Sequence, residues 1–480
     1  MTTTSLSLTD VAALSPLLFL LIGALAVLLV ETFAEKAANI LSFPISALFI
    51  LIAIIAAVYA PISDNALLTP WLSFDPLSRL FTFFFLAIGL ASACLAHAFF
   101  HRFKATQGEY YFLLLSALFG LLLIGSSADF LTLFLGLELL SIALYVLCGY
   151  MKKWNISHEA SMKYFLMGAL AAAFLLYGIA LIYGATGTTR FDRLLSGYQA
   201  IQSTQKSALF LGGIALVTLG LAFKAAIVPF HVWAPDVYDG ASTPVTAFMA
   251  VGTKVGAFAA FARVFLVALP QFNPLWSEVV AFLAIPTLIY ANYVALRQTQ
   301  LRRFFAYSGI SHAGFLLIPL AAGTPDALSA LMFYLAVYAF ATLGCFAVLA
   351  FLDDRPAGVM LKDLQGLFKR APLLAGVLAL CMLTLAGIPP TIGFFAKFYL
   401  FKVAFQAGYY WLVIIALLTT ILAAYYYLRM IAIMFSPAVD AATAPQRRYW
   451  TAALVGIVSC AAIIVLSLYP APFMAFFVVR

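Results

Sequence analysis

Three lysines stand in the middle of apolar runs long enough to cross a bilayer: Lys224 in LGLAFKAAIVPF, Lys254 in MAVGTKVGAFAAF and Lys397 in TIGFFAKFYLF. Glu138, in FLGLELLSIALY, is placed in the same way. A charge at the centre of a membrane helix costs about 2.5–3.5 kcal/mol on insertion scales, so four cost on the order of 10 kcal/mol. That rivals the whole net stability of an ordinary domain, about 5–15 kcal/mol. Groups kept at such a cost point to an ion or proton path. The chemistry they allow is specific. An ammonium taken out of water gives up its proton more readily, and a carboxylate beside it restores the hold. A change in the Glu138–Lys224 distance would therefore load or unload a proton on Lys224. Lys254 would relay it, and Lys397 would gate its exit. Sodium is poorly served, because carboxylates are scarce and ammonium groups repel cations.

Each assignment has a plainer alternative. Glu138 shares a helix face with Ser141 and Tyr145, at i+3 and i+7, and its natural partner is Lys224. The plainer reading is a purely structural ion pair. Lys224 and Lys397 lie five residues before Pro229 and seven after Pro390, so either lysine could serve only to cap a broken helix. Lys254 has small neighbours, Gly252, Gly256 and Ala257, which also suit close helix packing. Lys163 follows Glu159 at i+4 near a helix start; a surface pair and a channel role are both open. His231, inside the first break, and His312, flanked by Ser308 and Ser311, are secondary members of the path. Tyr425, Tyr426 and Tyr427, near a span end, read as an interfacial belt.

The elements that must position these groups are membrane helices. The chain is 480 residues long, 65% hydrophobic and only 9% charged, with mean hydropathy +1.08. Soluble domains carry about 25% charged residues. Apolar runs of spanning length fall near 12–31, 39–60, 77–99, 109–127, 129–150, 158–184, 207–235, 243–268, 277–296, 301–321, 325–352, 372–405, 408–435 and 449–471. The expected fold is an all-α polytopic membrane protein of about fourteen transmembrane helices. The seventh run contains IVPFHVWAPD with Pro229, and the twelfth contains LAGIPPTIGFF with Pro389 and Pro390. Proline removes a backbone donor, so both helices are predicted to break at mid-membrane. Breaks five spans apart have opposite topology, which fits two inverted five-helix repeats. The predicted division is an N-terminal three-helix segment, 1–105; repeats at 106–270 and 271–436; and a last span in 437–480.

Lys and Arg set the orientation. Alternate loops hold Lys36; Arg102 and Lys104; Lys152 and Lys153; Arg297, Arg302 and Arg303; Arg355, Lys362, Lys369 and Arg370; Arg447 and Arg448. The opposite loops hold mainly Arg79, Arg190, Arg193 and Lys206, so both termini are expected on the outer side. The first apolar run lacks a basic leader and reads as a retained helix.

Other functions lack their residues. The +8 net charge is spread over short loops, so no nucleic-acid partner is expected, only the lipid bilayer and membrane neighbours. Cys94, Cys148, Cys345, Cys381 and Cys460 show no iron–sulfur or zinc spacing. His97, His101, His158, His231 and His312 are read as giving no haem pattern, no metal is expected, and no Gly-rich nucleotide fingerprint occurs.

Four segments, LTLFLGLELLSIALYVLCGY, FKAAIVPFHVWAPDVYDGASTPVTAFMAVGTKVGAF, FAYSGISHAGFLL and LAGIPPTIGFFAKFYLF, resemble the antiporter-like membrane subunits of proton-pumping NADH:quinone oxidoreductase, respiratory complex I. The resemblance covers nearly the whole chain, and the PFHxWxPDVYxGAxxPV block is highly specific. It implies Glu138 and Lys224 as a modulating pair, Lys254 as central relay and Lys397 as the periplasm-side gate. A lysine at 397, and no long lateral helix after the last span, set the chain apart from family members with a glutamate or such a helix. The resemblance also implies a bacterial inner membrane, and membrane-arm neighbours named subunits K and M. It further implies that this chain holds no cofactor: NADH, FMN, iron–sulfur clusters and quinone belong to the rest of the complex. The rival expectation is a large subunit of a multi-subunit cation/proton antiporter.

Overall fold

The computed structural model describes residues 5–103, 107–202, 204–437 and 449–477. Lys104, Arg447 and Arg448, which enter the orientation argument, lie outside the described residues. Among the described residues the chain is helical, with isolated bridges in place of strands. The main helices are α1 Ser15–Phe33, α2 Glu35–Tyr59, α3 Pro76–Phe103, α4 Gly108–Gly125, α5 Phe130–Cys148, α6 Asn155–Thr186, α7 Lys206–Ala225 and α8 Trp233–Gly240. They continue with α9 Thr243–Ala268, α10 Asn273–Ala295, α11 Leu301–Ala322, α12 Ala327–Leu352, α13 Pro372–Ala386, α14 Ile392–Gln406, α15 Tyr410–Phe435 and α16 Trp450–Leu468. Thirteen of the described helices are long and apolar enough to cross a membrane. The pair α13 and α14, 15 residues each, covers the run read as the twelfth span in two halves.

Burial sorts these helices into an inner and an outer set. The apolar stretch of α11 is completely buried, whereas that of α1 or α2 is 28% buried. The inner set, α9, α11 and α12, carries Lys254 and His312. The outer helices turn leucine, isoleucine and phenylalanine outward, as a lipid-facing surface requires.

Two helix ends share one local design. At the end of α7, Ala226 takes φ 58°, and the Ile227 amide bonds back to the Ala222 carbonyl at 2.9 Å. At the end of α13, Gly387 takes φ 77°, and the Ile388 amide bonds back to the Leu383 carbonyl at 3.2 Å. This six-to-one closure is the Schellman ending, and a proline follows it each time because proline cannot continue the helix. Gly387 adopts the left-handed conformation freely, whereas Ala226 carries a penalty of about 1–2 kcal/mol. The inner crossing α9 is also irregular. Its segments Met249–Thr253 and Ala262–Ala268 are wide π turns, and Lys254 follows directly on the first. Such turns gather at functional sites.

A second kind of charge, unforeseen in the sequence, locks one end of the bundle. Arg263 in α9 is 1% exposed and uses its whole guanidinium. Nε donates to the Gly125 carbonyl at 2.8 Å, and the two terminal nitrogens donate to the Asp75 carboxylate at 2.5 and 2.8 Å. Asp75 also caps α3, accepting from the Ser78 amide at 2.7 Å. Burial pushes the Asp75 carboxyl up, but the Arg263 hydrogen bonds and charge, with the Ser78 amide and the Ser73 hydroxyl, outweigh it and hold the group at about 2. A carboxylate held below its free value stabilises the fold above that value, so this support is complete above about pH 4 and fades as pH falls towards the folded value. Asp75→Asn is expected to cost about 3 kcal/mol, since it leaves a buried guanidinium without its anion. The check is the denaturation temperature in detergent: it should fall at neutral pH, and the gap to wild type should shrink on acidification.

Candidate functional site

The first charged pair forms where α7 runs beside α5. Lys224 Nζ donates to Ser141 Oγ at 2.6 Å and to Glu138 Oε1 at 3.3 Å. The lysine is 6% exposed and the carboxylate 21%, so Glu138 sits at the rim of the pair. It shares the outward stripe of α5 with Leu135 and Ile142, which are exposed. Tyr145, two turns on, packs edge-on against Tyr164 at 4.8 Å, and Tyr164 stacks on Trp233 at 4.6 Å. That aromatic line joins the pair to the first break.

At the break, side chains meet the backbone groups that the interruption frees. Trp233 Nε1 donates to the Phe223 carbonyl at 2.9 Å, and the Val228 amide donates to Thr287 Oγ1 at 3.1 Å. Lys254 Nζ reaches the Ala225 carbonyl at 3.5 Å. The reading that placed Lys224 against these carbonyls is therefore corrected. Side chains lean towards the N-terminus of their own helix, so Lys224 points back to α5, and an amine from α9 fills the place. At the second break the reading holds: Lys397 Nζ donates to the Ala386 carbonyl at 2.9 Å. The same amine lies 4.7 Å over the Phe315 ring, a cation–π contact.

His312 stands between these two amines. Lys254 Nζ lies against Gly309, one turn before it on α11. Lys397 lines a small cavity together with His312, Tyr334, Tyr338, Thr384 and Gly393. Both imidazole nitrogens face hydroxyls: Nδ1 meets Tyr334 Oη at 2.7 Å, and Nε2 meets Tyr427 Oη at 3.3 Å. Tyr427 is also bonded to Ser308 Oγ at 2.5 Å. A second branch runs from Tyr426 Oη to Asn292 Oδ1 at 2.9 Å, and from Asn292 Nδ2 to Ser311 Oγ at 2.8 Å. An imidazole flanked by two hydroxyls can accept a proton on one nitrogen and release one from the other.

The other candidates separate. The tyrosine belt is corrected: Tyr425 is 63% exposed, but Tyr426 and Tyr427 are buried and belong to the network. Lys163, half exposed, pairs with Glu159 and Asp236, each at 2.8 Å, and Arg303 meets Asp236 at 3.2 Å. Lys163 thus makes the surface pair of the first reading. His231 packs edge-on to Tyr290 at 4.8 Å; among the described residues no hydrogen bond joins it to the three lysines. Asn292, Tyr334, Tyr427 and Arg263 were missed. An amide inside an apolar run and the Ser308, Ser311, His312 face of α11 were the available signals. The described residues contain no group of three His, Cys, Asp or Glu able to hold a metal.

The polar branch is directly testable. Asn292→Leu takes away the acceptor of the Tyr426 hydroxyl and the donor to Ser311 Oγ, which costs about 1–3 kcal/mol. Combined with Tyr426→Phe the loss should be less than additive, because both variants remove the same Tyr426–Asn292 bond. Denaturation temperatures of the two single variants and the double variant provide the check.

A family model described as NADH:quinone oxidoreductase/Mrp antiporter, TM, matches residues 127–423, which include Glu138, Lys224, Lys254, His312 and Lys397. The chain is 62% identical over 472 residues to NADH-quinone oxidoreductase subunit N of Protochlamydia amoebophila, covering 98% of each protein. A chain of respiratory complex I from Thermus thermophilus superposes with a TM-score of 0.81 at 32% identity, covering 96% of this chain and 98% of that one. A chain of the Mrp complex from Dietzia superposes at 0.82 with 23% identity, over 98% of this chain and 96% of that one, a likeness of fold alone.

Proposed function

The chain belongs to the NADH:quinone oxidoreductase/Mrp antiporter family, among the subunit N members of respiratory complex I, and we propose that it moves protons through Glu138, Lys224, Lys254, His312 and Lys397. The observation that carries the proposal is the placement of one buried amine at each of two helix breaks, with an imidazole between them and a third buried amine paired with Glu138 beside the first break. Glu138 is the adjustable member. At an effective dielectric near 20, a unit pair 3.3 Å apart attracts by about 5 kcal/mol, and by about 2.5 kcal/mol at ~7 Å. Such a movement shifts the proton distribution on Lys224 about a hundredfold. Ser141 Oγ, nearer than the carboxylate, keeps the amine in place while Glu138 moves. A proton released from Lys224 passes to Lys254 at the Ala225 carbonyl, across His312 and on to Lys397.

The same reading takes residues 106–270 and 271–436 as inverted repeats, supported by the matching Schellman endings at the two breaks. It puts the subunit in a bacterial inner membrane with both termini outside and subunits K and M as neighbours. NADH, FMN, iron–sulfur clusters and quinone stay in the rest of the complex, with no redox centre in this chain. A cation/proton antiporter subunit shares the fold, but the 62% identity supports the complex I assignment.

Lys224→Ala is expected to lower coupled NADH:quinone reductase activity severalfold while leaving NADH oxidation by an artificial acceptor intact. An equal fall in both activities would make the lysine structural. Glu138→Gln takes from Lys224 the anion that favours its charged form, so the alkaline limb of the pH–rate profile should move to lower pH. An unchanged profile in an assembled complex contradicts the modulating pair.

A further inference from the structure

We propose that His97 and His101 form a binding site for one late transition-metal ion, such as Zn²⁺ or Cu²⁺, at the C-terminal end of α3. The two occupy i and i+4 in HAFFH, so their rings leave one face of the helix, a spacing that the expectation of no metal passed over. The ring centroids are 6.4 Å apart. Two imidazoles so placed are half of a chelate, because imidazole nitrogen binds zinc at about 2.0–2.1 Å and suits copper equally.

The surroundings point the same way. His97 stacks on Phe43 at 4.4 Å, which fixes the ring without using its nitrogens. Its Nδ1 is buried and makes no well-formed hydrogen bond. The Gln107 side chain lies beside His97, its buried amide oxygen within hydrogen-bonding reach of the ring but without a well-formed bond to it. Tyr449, with its ring 6.3 Å from that of His101, keeps a buried hydroxyl unpartnered. Folded proteins pair nearly all their buried polar atoms, so a loosely held imidazole and an unpartnered Tyr449 hydroxyl beside one histidine pair mark a place for a polar ligand. His101 is exposed, which opens the pair to solvent. With only two protein ligands, water completes the coordination and the ion exchanges with solution. Mg²⁺ and Ca²⁺ are poor occupants because they demand oxygen.

The test is histidine acylation by diethyl pyrocarbonate in the whole complex, read on the His97–His101 peptide by mass spectrometry. Zn²⁺ should slow labelling of His101 about tenfold, Mg²⁺ should not, and the Zn²⁺ protection should vanish in His97→Gln. The variant His97→Phe, which keeps the stack on Phe43, serves if the first does not assemble, and the contrast between Zn²⁺ and Mg²⁺ is read on the wild type alone. The proposal is overturned if Zn²⁺ gives no protection, if protection persists without His97, or if His101 in metal-free protein does not react at all.

Discussion

A backbone carbonyl released inside a membrane has no water to bond with, so a side chain must come to it. In this subunit the side chain is a lysine at each of two breaks. Lys254 answers the Ala225 carbonyl, and Lys397 answers the Ala386 carbonyl. The helix C-terminus carries partial negative charge, so the ammonium gains there part of what its burial costs. One contact therefore solves two problems: the interrupted helix is satisfied, and a titratable amine is held at a fixed station. The proposed path is a consequence of how the breaks are closed.

The remaining polar groups are arranged so that little is left unpaired around these stations. In the buried stretch of α11, His312, Ser308 and Ser311 all find partners on α10, α12 and α15. Satisfied networks in low dielectric are rigid, and a rigid frame suits transfer between fixed groups. Arg263 and Asp75 fasten the end of α9 to the start of α3. Against that frame Glu138 stands out. It is 21% exposed at the edge of α5, while Lys224, Lys254 and Lys397 are 6%, 3% and 3% exposed. The least confined charge is the one whose movement would drive the others.

Much of this was legible before any coordinates. Charge is so costly in hydrocarbon that Lys224, Lys254, Lys397 and Glu138 stand out by residue type alone. Pro229 and the Pro389–Pro390 pair announce the breaks because proline cannot donate. What resisted was direction. Spacing along the chain does not tell which amine reaches which carbonyl: the Glu138–Lys224 pair was legible, but that Lys254 and not Lys224 meets the freed Ala225 carbonyl was not. Tyr426 and Tyr427 looked interfacial because tyrosines near span ends usually are; only packing against Asn292 and His312 shows them turned inward. Arg263 escaped notice because it lies towards the end of its run, where arginines often reach water, whereas here the Asp75 loop folds over it.

The most direct test of a shared polar corridor is an experimental density map of the assembled complex, fine enough to show ordered waters. The account predicts waters at hydrogen-bonding spacing that join Lys224 to Lys254, Lys254 to His312, and His312 to Lys397. Tightly packed apolar side chains or acyl chains filling those gaps, with each amine sealed in its own dry pocket, would contradict it.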